Sequence, residues 1–111
     1  LVVIIAQIAE EGNVVILGRG SQYILGDHPD AHHILLINNF ENRVKFMMEH
    51  YDFSESRAAQ VVNREDKRRL NLYRKINKTD YDNPALYHLV LNMAKMDMQA
   101  GVKLILDLVP S

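Results

Sequence analysis

Three short runs of β-branched and aliphatic residues, set between stretches of helical character, limit what this chain can fold into. Val14-Val15-Ile16-Leu17, His32-His33-Ile34-Leu35-Leu36-Ile37 and Tyr87-His88-Leu89-Val90-Leu91 are almost continuously apolar. Such runs suit strands covered on both faces, as in a parallel sheet, rather than strands with one wet face. The first segment, Leu1 to Glu11, carries Leu1, Ile4, Ile5 and Ile8 at helical spacing and stops at Gly12-Asn13. Ser21 to Leu25 reads as a short helical piece. Asn38 with Glu41 fits a capping box for a helix whose apolar face is Phe40, Val44, Met47, Met48 and Tyr51. Ser54 caps a long helix running to about Asn77. Asp97 caps a last one, with Met98, Val102, Ile105, Leu106 and Val109 expected inward. Helix alternating with strand predicts an α/β fold, a parallel sheet with helices on both faces, in a single domain over residues 1–111. Three strands make a thin sheet, so at least one central strand is expected to lie outside the chain. The opening helix reads as the tail of one that starts upstream, which makes the chain the C-terminal portion of something longer.

Composition narrows the chemistry. Hydrophobic residues make up 48% and charged residues 24% of the chain, as in ordinary folded domains. A net charge of −1 gives no global field toward nucleic acid or an anionic membrane. With no cysteine there is no disulfide framework, thiol nucleophile or cysteine zinc site. No apolar run approaches the ~20 residues of a membrane span, and no basic leader with a cleavage site opens the chain. A cytoplasmic setting follows as the expectation.

Two clusters can carry chemistry. Gly18-Arg19-Gly20-Ser21 stands at the carboxyl end of the first strand run, the edge where open parallel sheets bind ligands. Its glycines allow close backbone approach, but Tyr23 stands where a dinucleotide fingerprint needs glycine, and the chain has no Gly-Lys pair for a P-loop. The simple alternative is a tight turn with a solvated arginine. The second cluster gathers Arg64, Lys67, Arg68, Arg69, Arg74, Lys75 and Lys78, seven of the 13 basic residues, against only Glu65 and Asp66. Arg64 and Arg68 share a helix face, with Arg69 beside them, and guanidinium groups suit bidentate phosphate contacts. A solvated helix surface explains the same residues, and nucleic acid is disfavoured because no aromatic stacking platform interleaves them. His28, His32 and His33 near Asp27 and Asp30 make a weak metal set, because adjacent strand histidines point to opposite faces. No metal site is assigned. The five methionines read as core filler.

Taken in order, three stretches resemble bacterial cytidylate-kinase-like proteins. Asn13 to Ser21 resembles the family's "VVIxGRG" strand-turn. Asn63-Arg64-Glu65-Asp66-Lys67-Arg68-Arg69 resembles its Asp-x-x-Arg lid helix, with Tyr73 in an aromatic slot. Asp82 to Asn92 resembles its "DxPxLYDLVIN" segment. The resemblance implies a P-loop nucleoside-monophosphate-kinase fold, three-layered, with a helical lid at about 54–78. It also implies an N-terminal strand and P-loop that would lie upstream of Leu1, so that the 111 residues alone are expected not to catalyse.

The implied activity is transfer of the ATP γ-phosphoryl group to a small acceptor, CMP or dCMP by analogy, with ATP and Mg2+ as cofactors. Gly18, Arg19 and Gly20 would hold the acceptor phosphate. Arg64 and Arg69 would close over the transferring group, and Asp66 would orient an arginine or the acceptor sugar. The implied partners are a nucleotide and a small acceptor, with a second copy of the chain possible and no membrane. The sequence departs from the pattern at Gly20 (Asp in strict cytidylate kinases), at His88 (Asp) and at Met93 (Thr). The missing P-loop and the drifted Gly18-Arg19-Gly20 keep open a second expectation, a non-catalytic binding or regulatory module on the same fold.

Overall fold

The computed structural model describes residues 2–18 and 20–109. In chain order the elements are α1 (Val2–Glu11), α2 (Ser21–Ile24), β1 (Ile34–Ile37), α3 (Phe40–Tyr51), α4 (Glu55–Lys75), a 3-10 turn (Pro84–Leu86), β2 (Leu89–Asn92) and α5 (Met98–Leu108). The fold is mixed α/β, and its sheet among the described residues is two parallel strands. Ile34 pairs with Leu89, and the register runs to Ile37 opposite Asn92. At the start of the ladder the His33 carbonyl accepts from the His88 amide at 2.7 Å, and the His33 amide donates to His88 Nδ1 at 2.9 Å. Two hydrogen bonds thus fix the register before the strands begin. At the far end the Met93 amide donates to the Ile37 carbonyl at 2.7 Å, so the carboxyl ends of both strands finish side by side.

Between the strands runs a helical hairpin. Asn39 starts α3 and its side chain accepts from the Asn42 amide. The cap is therefore Asn39, one residue beyond the predicted Asn38, whose side chain instead accepts from the Asn39 amide and the Asn42 side chain. Ser54 starts α4 as predicted, accepting from the Arg57 amide. The three residues Asp52 to Ser54 reverse the chain, with Asp52 in the left-handed conformation at φ 57° that a helix C-terminus often needs. Val44, Ala58 and Val62 meet at the centre of the hairpin, and Met47, Met48, Phe53 and Ala59 pack around them. Ala58 is fully buried because the two helices approach closely there.

Three apolar expectations fail. Val14 to Leu17 forms no strand; Val15 is 88% and Leu17 84% exposed. A strand exists only through a neighbour's backbone groups, and no described strand pairs with this segment. In α1, Ile5 is buried but Ile4 and Ile8 are exposed; Leu1 lies outside the described residues. In α5 only Ile105 of the five predicted inward residues is half-buried, while Met98, Val102, Leu106 and Val109 are exposed. The sheet among the described residues has two strands, and α1 packs chiefly on α2 rather than on it. The three-layer architecture implied by the resemblance is accordingly not what the described residues form.

Candidate functional site

A cavity of about 710 Å³ opens at the carboxyl ends of β1 and β2. Leu35 to Asn38 and Met93 line it from the sheet, Arg43, Phe46 and Met47 from α3, and Tyr81 and Asp82 from the loop before β2. From α4 come Val62, Glu65, Asp66, Arg69 and Leu70. Those positions follow the steps of three and four that define one helix face. The volume lies within the range of small-molecule sites, and the edge is the one at which open parallel sheets bind ligands.

Two arginine–aspartate pairs face this space. Arg43 meets Asp66 through both guanidinium nitrogens, at 3.1 and 2.5 Å, joining α3 to α4. Arg69 meets Asp82 in the same forked way, at 3.0 and 2.5 Å, joining α4 to the loop at 79–83. Each pair is roughly half exposed, so neither is locked away from solvent. The Arg69 guanidinium also lies 5.3 Å from the Tyr73 ring and 5.1 Å from the Tyr81 ring. Those two rings stack in parallel, 4.3 Å apart. The hydrogen bonds to Asp82 hold the Arg69 proton more tightly than usual, against a smaller opposing effect of burial. Arg69 is thus a fixed cation on an aromatic wall.

The wall is supported from behind. Tyr73 is buried, and its hydroxyl accepts from the Gln22 side-chain amide of α2. The Tyr23 hydroxyl donates to Asp80 at 2.6 Å, and Lys78 sits 4.9 Å from the Tyr23 ring. The Tyr87 hydroxyl donates to the Tyr81 carbonyl. Burial, then the hydrogen bond to Asp80, pushes the Tyr23 phenol well above its ordinary value. Burial also raises Tyr87.

The predicted site residues divide. Arg69 and Asp66 line the cavity. Arg64 does not, and it makes no ion pair among the described residues. Five residues at about 100° each set it about 140° around the helix from Arg69. The two arginines therefore do not share a face. Gly18 and Gly20 both adopt φ 70°, a left-handed backbone that glycine takes at least cost, so they serve the turn through its backbone. Gly20 is buried near the end of α4, where a side chain would come 3.8 Å from Ile76; neither glycine lines the cavity. Arg19 lies outside the described residues.

Arg43 and Asp82 escaped the sequence analysis. Arg43 is an ordinary surface cation of an amphipathic helix, two residues from Lys45, and its partner stands 23 positions away. Asp82 sits within the stretch quoted for its resemblance, but nothing local marks it as a partner of Arg69. Glu65, Asp66 and Asp82 line the cavity, yet among the described residues no three carboxylate or histidine side chains converge as a metal set. No described helix is long and apolar enough to cross a membrane. The family model described as the cytidylate kinase-like family matches residues 2–95. No curated protein matches the chain.

Proposed function

The chain belongs to the cytidylate kinase-like family, and from that premise we propose that it supplies the acceptor- and lid-bearing part of an ATP-dependent phosphotransferase. The acceptor is a nucleoside monophosphate, CMP or dCMP by analogy, or a similarly small phosphorylated molecule. The observation that carries the proposal is the pair of forked guanidinium groups, Arg43 and Arg69, facing one cavity at the carboxyl edge of the parallel strands.

Phosphoryl transfer asks the protein mainly for position and for positive charge near the equatorial oxygens. Arg69, backed by Tyr73 and Tyr81, supplies a charge that need not reorganise. Arg43 supplies a second from the opposite wall. Asp66 fixes the direction of Arg43. Leu35, Ile37 and Met93 give the cavity an apolar floor, and closure of the lid helix over it would exclude water, which otherwise competes as acceptor. Arg64 stands on the outer face of α4 and contributes less. The Gly18 to Gly20 turn holds an acceptor phosphate only from outside this cavity.

ATP and Mg2+ are the implied co-reactants, ATP supplying the group to be transferred. The 111 residues contain no Gly-Lys phosphate cradle, and the described carboxylates make no dedicated metal set. No step is therefore assigned to the metal. The test is transfer of labelled γ-phosphoryl from ATP to a panel of nucleoside monophosphates by the native protein. Transfer that falls at least 100-fold in Arg69→Gln, with the fold retained, supports the proposal. Equal turnover in that variant sinks it.

One observation favours a second possibility, a binding module without catalysis. The polar lining carries three carboxylates against two guanidinium groups, an unfavourable balance for an anionic ligand. On that account ATP with Mg2+ leaves the melting temperature unchanged, whereas binding to the native state alone would raise it.

A further inference from the structure

We propose that Asp82 is an internal occupant of an anion site on Arg69, which a phosphoryl group enters by displacing it. The inference deepens the function proposed above and rests on its premise that Arg69 meets phosphate. Three features of the geometry point to exchange rather than to a permanent structural pair.

First, the two carboxylate oxygens of Asp82 take the forked positions that two phosphate oxygens would take on the same guanidinium, at 3.0 and 2.5 Å. Second, Arg69 keeps its place without Asp82. The stacked rings of Tyr73 and Tyr81 flank it, 5.3 and 5.1 Å away, and Tyr73 is itself held by Gln22. Third, the loop keeps its place without the Arg69 contact. Asp80 is anchored by the Tyr23 hydroxyl, the Tyr81 carbonyl by the Tyr87 hydroxyl, and the Asn83 amide by the Asp80 carbonyl. Both partners are thus braced independently, while the link between them is about half exposed. The carboxylate can swing into water, and a phosphoryl group can take its place, with no backbone rearrangement.

Asp82 on this account is a positioning residue with a cost. It fills the forked face of Arg69 while the site is empty, and it weakens anion binding by the work of displacement. A merely structural ion pair predicts the opposite sign, because losing it would loosen the site.

Inorganic pyrophosphate is the probe, titrated by calorimetry into the wild-type chain and into Asp82→Asn, Asp82→Ser, Asp82→Glu and Arg69→Gln. Circular dichroism checks each fold. Wild type binds measurably. Removing the carboxylate charge tightens binding about ten-fold, the size of one charge-assisted pair discounted for solvent. Asp82→Glu stays near wild type, and Arg69→Gln abolishes binding with or without Asp82→Asn. Unchanged or weaker binding in both Asp82→Asn and Asp82→Ser overturns the inference, as does a failure of both wild type and Asp82→Asn to bind. The outcome is separate from that of the transfer assay. Displacement can hold in a protein that transfers nothing, and transfer can proceed in one whose Asp82 variants bind pyrophosphate no better.

Discussion

Arg69 carries more of the account than any other residue, and its neighbours show why lysine is no substitute. A lysine keeps the charge but loses the planar fork that spans both oxygens of Asp82 and sits beside the stacked Tyr73 and Tyr81 rings. Arg69→Lys should behave like Arg69→Gln in phosphate binding while losing about 1 kcal/mol or less of stability, since the pair is half exposed. Arg64→Ala, on the outer face, should leave pyrophosphate affinity within two-fold of wild type. An equal loss in both variants would mean that the whole basic helix, rather than one cavity wall, holds the anion.

Tyr23 gives a residue-scale test in pH. Burial and the bond to Asp80 raise its proton affinity in the folded state. The stabilisation is whole below the ordinary phenol value of about 10 and is lost as pH rises through the raised value. The gap in melting temperature between wild type and Tyr23→Phe should therefore narrow above about pH 10. A gap that stays constant to pH 12 would contradict the assignment.

At the scale of elements, local chemistry decided what the sequence revealed. The caps at Ser54 and Asp97 were legible because each is a contact between a side chain and an amide three residues on. The start of the long helix was legible because Ser54 announces it, accepting from the Arg57 amide. Asn39 displaced Asn38 as the cap because two adjacent asparagines offer the same chemistry, and only packing chooses between them. Arg43 with Asp66, and Arg69 with Asp82, join different elements, so no periodicity announces them. Val62→Ala should cost about 2 kcal/mol, because it opens a cavity where α3 meets α4. Melting by circular dichroism will read it, and a loss below 0.5 kcal/mol would mean that the hairpin repacks freely. Gly101 shows the reverse case. A methyl group there would meet the mobile end of Met93 at 3.3 Å, so Gly101→Ala should stabilise α5 by up to about 1 kcal/mol as Met93 shifts. A lower melting temperature would show that Met93 is held rigidly at the cavity floor.

At the scale of the molecule, the chain exposes 8594 Å² with a radius of gyration of 15.4 Å. A self-contained globule of 12.8 kDa would expose about 6,300 Å² with a radius near 13 Å. The surplus is where the sequence misled most. Val15, Leu17, Leu36 and Leu106 have core chemistry but no cover among the described residues. Apolar periodicity reports what a face requires, not whether another element meets it. This chain should therefore bind a hydrophobic dye in its native state and associate with itself as concentration rises. A strictly monomeric, dye-silent chain would show that those faces close in solution.

The central claim is that an arginine-lined cavity at the carboxyl edge of the sheet serves phosphoryl transfer. Following labelled γ-phosphoryl from ATP onto nucleoside monophosphates, in the native protein and in Arg69→Gln, tests it most directly. The account predicts label on a cytidine monophosphate in wild type and at least 100-fold less in the variant, with melting temperatures within a few degrees. No label on any monophosphate with wild type, or equal label with both proteins, would contradict it.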